Sequence, residues 1–325
     1  MSDLPAPRFP RVLVTGAAGF VGHHLVRELE AAGHAVATTD AVPADAPAAA
    51  GLPGYAQADL RDEEAMRALV RGARPDAVVH LAGVSFVPDG ARDPSLALTV
   101  NIGGTWALAE ALAADAPRAR LLFVSTAQVY GTLPSPAPLR EDSPLRPLSL
   151  YAVTKAAGES LLLARHAAGS LDALVARPGN HTGPGQSPKF VAPAFARQVL
   201  AAKRGELPAI RVGNLDSVRS FADVRDVVRA YRLLLERGAS GGVYNVASPA
   251  NVRIGDLLAR LRALAGCAAP VEPDPALWRP TDSCPELDVS RLRADTGWAP
   301  ALTLDDTLRD LLATLEQPDN PHRNP

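Results

Sequence analysis

The chain has 325 residues, 47% of them hydrophobic, and a formal net charge of −2. That length holds one large α/β domain or two coupled ones, and the hydrophobic content excludes a disordered chain. The near-neutral balance supplies no broad basic field, so nucleic acid is not an expected partner.

No uninterrupted apolar run reaches membrane-spanning length, so no membrane partner is expected either. Residues 1–11 are polar and proline-rich, without the basic start and apolar stretch of a secretory signal, which points to the cytoplasm. Cys267 and Cys284 lack His or Cys neighbours at metal spacing, so reduced thiols and no metal are expected.

Short apolar runs alternate with helix-length amphipathic segments through the first half, the pattern of a parallel βαβ sheet. In chain order, strands are predicted over 11–14, 35–39, 77–81, 121–124 and 173–176, with helices over 20–32, 63–72, 94–114 and 151–168. The result is an α/β fold, a Rossmann-type doubly wound parallel sheet with ligands at the carboxyl ends of its strands. After Pro178 the texture changes: Gly and Pro cluster through 179–193, and later elements are shorter. Residues 1–178 are expected to form the dinucleotide-binding domain and 179–315 a smaller, mainly substrate-binding part. A strand such as 243–246 can return from that part to the main sheet. Residues 316–325 read as a tail.

The first strand meets the first helix through Gly16, Gly19 and Gly22. In such a turn Gly16 allows the bend, Gly19 lets backbone approach a pyrophosphate, and Gly22 lets the helix pack closely. Asp40 closes the second strand, where a carboxylate accepts hydrogen bonds from an adenosine ribose and repels a 2′-phosphate. With no arginine close behind it in sequence, NAD(H) is favoured over NADP(H). Asp59 and Leu60 follow the next short segment, where the adenine edge would lie. Tyr151 and Lys155, four residues apart on a helix, bring a phenol beside an ammonium, and a cation at that distance lowers a tyrosine pKa.

Taken together these pieces resemble the extended short-chain dehydrogenase/reductase family of nucleotide-sugar enzymes. The matching stretches are 15–22 (TGAAGFVG), 80–83 (HLAG), 101–105 (NIGGT), 125–131 (STAQVYG), 151–155 (YAVTK) and 177–180 (RPGN), in the family's order. The resemblance implies a catalytic set of Thr126, Tyr151 and Lys155, with Ser125 as runner-up to Thr126. It implies dinucleotide contacts by Gly16, Gly19, Phe20, Gly22, Asp40, Asp59, Leu60, Leu81, Ala82, Gly83, Asn101, Ser125, Tyr151, Lys155 and Pro178.

Members of that family reduce, epimerise or dehydrate sugars on one scaffold. Its 4,6-dehydratases usually carry Asp-Glu directly after the threonine; here Ala127 and Gln128 stand there, and neither exchanges a proton at neutral pH. Residues 177–186, 212–231, 279–282 and 296–300 are most similar to reductases of GDP-linked 4-dehydro-6-deoxymannose. This implies a nucleoside-diphosphate sugar as partner, GDP-linked favoured, with GDP-rhamnose as product. A 4-epimerase that retains NAD is the alternative, and a non-catalytic nucleotide sensor is a third reading.

Asn180, Arg219 and Arg279 are expected at the substrate diphosphate, Asp282 at its ribose, and Ser85 at the sugar. His181 reads as a structural residue beside Asn180. Gly179 replaces a larger residue usual in the family, so a wider or less ordered sugar pocket is expected there. The helices over 94–114 and from Tyr151 resemble a pair through which such enzymes form homodimers.

Overall fold

The computed structural model describes residues 7–131, 137–248, 250–278 and 286–317. Its first half alternates β1 (Arg11–Thr15), α1 (Phe20–Ala31), β2 (Ala35–Asp40), β3 (Tyr55–Gln57), α2 (Glu63–Ala73) and β4 (Ala77–His80). There follow α3 (Val87–Arg92), α4 (Pro94–Leu98), a π-helical turn (Thr99–Gly104), α5 (Thr105–Asp115), β5 (Arg120–Val124), α6 (Leu150–Ala167) and β6 (Asp172–Pro178). The predicted strands of this half all form, as do the predicted helices over 20–32, 63–72 and 151–168, with ends displaced by no more than two residues.

Seven strands pair in the order β11-β6-β5-β4-β1-β2-β3, where β11 is Val243–Val246, so that segment does rejoin the main sheet. Each pairing is parallel. Strands of such a sheet are covered on both faces, which is why β4 and β5 read as continuous apolar runs and are buried along most of their length. Chain order reverses between β1 and β4, opening a crevice at their carboxyl ends. One core layer packs Leu25, Val26 and Leu29 of α1 with Val228 and Leu234 of α8 (Val224–Arg237); the other packs Met66, Leu108 and Leu162 on the opposite face.

The predicted single helix over 94–114 is instead broken at the π-helical turn. Gly104 lies there against Leu60: an added Cβ would come within 2.5 Å of the leucine Cβ. The helical run Pro94–Asp115 is, by length and composition, long and apolar enough to cross a membrane, contrary to the expectation from sequence. Half of its apolar window is buried inside the chain, and it packs against α2 and α6, so its hydrophobicity serves the core.

Beyond Pro178 the chain forms β7 (His181–Thr182), α7 (Val191–Lys203), β8 (Ile210–Val212), β9 (Val218–Ser220) and β10 (Ala222–Asp223) ahead of α8. After β11 come β12 (Asn251–Arg253), α9 (Ile254–Ala265), β13 (Val271–Pro273), α10 (Ser290–Thr296) and α11 (Leu304–Glu316). Helices α7, α9 and α11 enclose a separate core that includes Phe195, Leu257 and Leu308. Glu316 closes α11, so the expected tail begins inside a helix. Cys267 is a buried free thiol, and Cys284 lies outside the described residues.

Candidate active site

A cavity of about 770 Å³ opens at the carboxyl ends of β1, β4, β5 and β6 and continues beneath α7. Its walls carry Gly16, Gly19, Phe20 and Gly22 from the first turn, Asp40, Asp59 and Leu60 from the next two strand ends, and Leu81, Ala82 and Gly83 after β4. Ser85, Ser125, Thr126, Tyr151, Lys155, Pro178 and Asn180 complete the set of predicted residues found there.

The glycine turn fits a dinucleotide on its own geometry. Gly16 has φ +72°, and a Cβ there would lie 2.6 Å from the Ala82 backbone nitrogen. A Cβ on Gly22 would come within 2.4 Å of the Ala17 carbonyl oxygen, so the start of α1 is held hard against the turn. Gly19 caps α1 without a side chain, leaving the first-turn N–H groups open to an anion.

At the end of the cavity beside β2 and β3, where sequence places the adenosine, the Asp40 carboxylate accepts hydrogen bonds from the backbone N–H of Ala18 (3.2 Å) and Ala41 (2.7 Å). Asp59 is clamped by Arg61 through contacts of 2.6–3.0 Å, which hold its carboxyl below the usual range. Arg61 itself lines the cavity, so an arginine shares the wall with Asp40 although none follows it in sequence. The spacing Asp59-x-Arg61, suited to an ion pair, was the available signal.

The reaction end is organised by α6. Ser149 caps that helix, its hydroxyl accepting from the Ala152 N–H at 3.2 Å, and so sets the phase that turns Tyr151 and Lys155 to the cavity. Thr126 caps the 3-10 turn Ala127–Tyr130, is 7% exposed, accepts from the Gln128 N–H at 3.2 Å, and has its hydroxyl near that of Tyr151.

The expected lowering of the tyrosine pKa by the lysine does not appear. Burial pushes Tyr151 up to about 12, with the Thr126 hydrogen bond opposing the rise. The lysine ammonium instead donates to the Val124 carbonyl at 2.8 Å and lies over the Phe123 ring, 4.8 Å from its centre. Burial lowers Lys155 to about 8, and the negative charge of Glu159 opposes that fall. Tyr151 is therefore a neutral phenol near pH 7, suited to donating a proton.

Three predicted positions sit differently from the sequence expectation. Asn101 is 2% exposed and does not line the cavity. Its side chain accepts from the Val84 N–H (2.7 Å) and donates to the Val84 carbonyl (3.2 Å) and to Thr154 (2.9 Å), so it shapes the Gly83–Val84 turn from behind. Arg219 sits on β9, donates to the Val218 carbonyl and is not in the cavity wall. Gly179 does not widen the pocket: an added Cβ would meet Ser220 at 3.2 Å and Ala247 at 3.5 Å, so its bulk would press on neighbours already in place. Arg279 and Asp282 lie outside the described residues.

His181, read from sequence as structural, lines the cavity with its ring stacked on Phe20 at 6.3 Å and hydrogen-bonded to the Gly179 carbonyl. Burial lowers its pKa, keeping it neutral. Tyr231 of α8 went unassigned in the sequence, yet its buried hydroxyl belongs to the cavity wall and has no hydrogen-bond partner among the described residues. A polar aromatic on a helix otherwise turned to the core was its only signal.

Residues 12–247 match the model of the NAD dependent epimerase/dehydratase family. The chain is 38% identical over 94% of its length to a GDP-6-deoxy-D-mannose reductase from Pseudomonas aeruginosa, covering 97% of that protein. It is 34% identical to a dTDP-glucose 4,6-dehydratase from Streptomyces griseus, over 93% of each chain. The solved structure of RMD from Pseudomonas aeruginosa complexed with NADPH superposes with a TM-score of 0.82 at 35% identity, over 94% of this chain and 98% of that one. The match spans most of the chain, and the chain belongs to the NAD dependent epimerase/dehydratase family.

Proposed function

We propose that this chain is an NAD(P)H-dependent reductase of a nucleotide-linked 4-keto-6-deoxyhexose, with the GDP-linked mannose derivative as substrate and GDP-rhamnose as product. The observation that carries the reading is a cavity joining a glycine turn to Thr126, Tyr151 and Lys155, with Ala127 and Gln128 where dehydration would need an acid and a base. The resemblance to a GDP-6-deoxy-D-mannose reductase along nearly the whole chain supports the choice of sugar.

When bound, the nicotinamide supplies the hydride that reduces the sugar carbonyl carbon. Tyr151 gives its proton to the carbonyl oxygen, which becomes the hydroxyl, while Thr126 hydrogen-bonds the same oxygen. Lys155 holds the nicotinamide ribose, and the N–H groups at the start of α1 receive the pyrophosphate. Asn180 binds the substrate diphosphate and Ser85 the sugar. NADH is the preferred donor, because the Asp40 carboxylate repels a 2′-phosphate and the charge of Arg61 is already answered by Asp59.

Residues 1–178 serve the dinucleotide and 179–315 mainly the sugar nucleotide. The protein works in the cytoplasm as a homodimer through α4, α5 and α6, a reading supported by the exposed side chains of Leu98, Trp106 and Val153 on those helices. The test is oxidation of NADH or NADPH in the presence of GDP-, dTDP-, UDP- and CDP-linked 4-keto sugars. One cofactor oxidised per GDP-sugar reduced is the expected result; an isomerised sugar with no net oxidation would make the chain an epimerase.

A further inference from the structure

Behind Ser125 and Lys155 lies a polar network that the proposed reaction does not use. The Glu159 carboxylate, 1% exposed, accepts a short hydrogen bond from the Ser125 hydroxyl. It also accepts from the Arg177 guanidinium, with Nε at 3.1 Å from both oxygens and Nη2 at 2.6 Å from one. Arg177 Nη1 donates to the Tyr130 hydroxyl and to the Glu141 carbonyl, both at 2.9 Å. The Tyr130 hydroxyl donates to the Asn245 side chain at 2.7 Å, and Asn245 in turn donates to the Leu139 carbonyl at 2.9 Å. The ends of β5, β6 and β11 are thereby tied to α6 by one connected set of hydrogen bonds.

Two features give the network a purpose beyond holding the fold. Glu159 is one helical turn past Lys155, as Tyr151 is one turn before it, so the three share a face of α6. Helix α6 also has no freedom to shift toward β5, since an added Cβ on Gly158 would lie 2.7 Å from the Phe123 ring. A buried ammonium is favoured by a fixed negative charge, and among the described residues the groups facing Lys155 from other elements do not offer one. His80 of β4 is buried and uncharged, Phe123 and Val124 of β5 present a ring face and a carbonyl, and Arg177 of β6 is itself a cation beyond Glu159.

We propose that Glu159 is a positioning residue: its carboxylate, shared with Ser125 and Arg177, fixes the Ser125 hydroxyl in the cavity wall and supports the positive charge of Lys155 across the helix turn. Arg177 holds the carboxylate in place rather than serving the sugar. Removing the negative charge then leaves Arg177 as an unanswered buried cation on the same side as the lysine, and the two repel.

The chain contains three lysines, Lys155, Lys189 and Lys203, so the ammonium can be titrated directly by NMR of lysine labelled at Cε. The role in turnover rests on the reductase reading, but this titration does not, so the two can fail separately. In Glu159→Gln the Lys155 midpoint is expected about one pH unit below that of the unsubstituted chain. In Tyr130→Phe, which breaks the same network without changing a charge, it stays where it was. Glu159→Asp, which keeps the charge but withdraws it by one methylene, gives a smaller displacement and replaces the glutamine variant if that one fails to fold. The alkaline limb of kcat/KM should move with the midpoint. An unmoved Lys155 midpoint in the Glu159 variants, or an equal displacement in Tyr130→Phe, would reduce the network to a structural tie and overturn the proposal.

Discussion

The two ends of the cavity treat charge differently. At the reaction end Lys155 is 4% and Thr126 7% exposed, and burial moves Tyr151 and Lys155 far from their ordinary titration ranges. At the adenosine end the side chains of Arg61 and Asp59 are 51% and 40% exposed, and water competes for every contact they make. A charge or hydroxyl at the dry end is worth a great deal because nothing replaces it; an ion pair at the wet end selects among ligands and contributes little else.

Substitutions at the two ends should therefore separate by orders of magnitude. Tyr151→Phe removes the proton donor and is expected to lower kcat about 10³-fold with dinucleotide binding retained, as read by turnover and calorimetry on the same sample. Thr126→Val removes one hydrogen bond to the developing hydroxyl and should cost about 10- to 100-fold in kcat/KM, with the fold checked by circular dichroism.

The pH profile sharpens the contrast. Lys155 titrates in the folded chain near 8, below its ordinary value of 10.5. Its charged form is lost as pH rises through about 8, and kcat/KM of the free enzyme should fall beyond that point. The stability term runs the other way. Between about 8 and 10.5 the unfolded chain holds the proton that the folded chain has released, so this group stabilises the fold progressively as pH rises across that window. Denaturant titrations at several pH values within it check the sign.

At the wet end the effects are smaller and concern choice. Asp40→Ala should raise the NADPH-to-NADH ratio of kcat/KM about tenfold by removing the carboxylate that repels a 2′-phosphate. Arg61→Ala should change kcat/KM for NADH by less than about threefold, since an exposed ion pair is screened by solvent. A larger loss in Arg61→Ala than in Thr126→Val would break the division between the ends.

Much of the cavity was legible in the sequence because its chemistry is carried locally. Gly16, Gly19 and Gly22 lie in one turn, and Tyr151 and Lys155 on one helix, so spacing alone brings them together. Buried parallel strands were equally plain, since two covered faces demand unbroken apolar runs. What escaped depended on approach from elsewhere in the chain. Arg61 reaches the wall that Asp40 occupies from a different strand end, and the π-helical turn at Asn101 follows from contacts with Val84, Thr154 and Leu60. The raised pKa of Tyr151 is a matter of burial, which spacing to a lysine does not reveal. Arg219 was placed at the substrate by residue type and resemblance, whereas strand β9 puts it outside the described cavity wall.

In the proposed reaction, hydride leaves the cofactor for good and Tyr151 supplies the accompanying proton. This is tested most directly by incubating the protein with a GDP-linked 4-keto-6-deoxyhexose and NADH deuterated at the transferable position, then reading the sugar by mass spectrometry and NMR. One deuterium on the sugar C4 for each NADH oxidised is the expected result, with product formation suppressed in Tyr151→Phe. Sugar altered at C4 without net loss of NADH, or undiminished turnover in Tyr151→Phe, would contradict it.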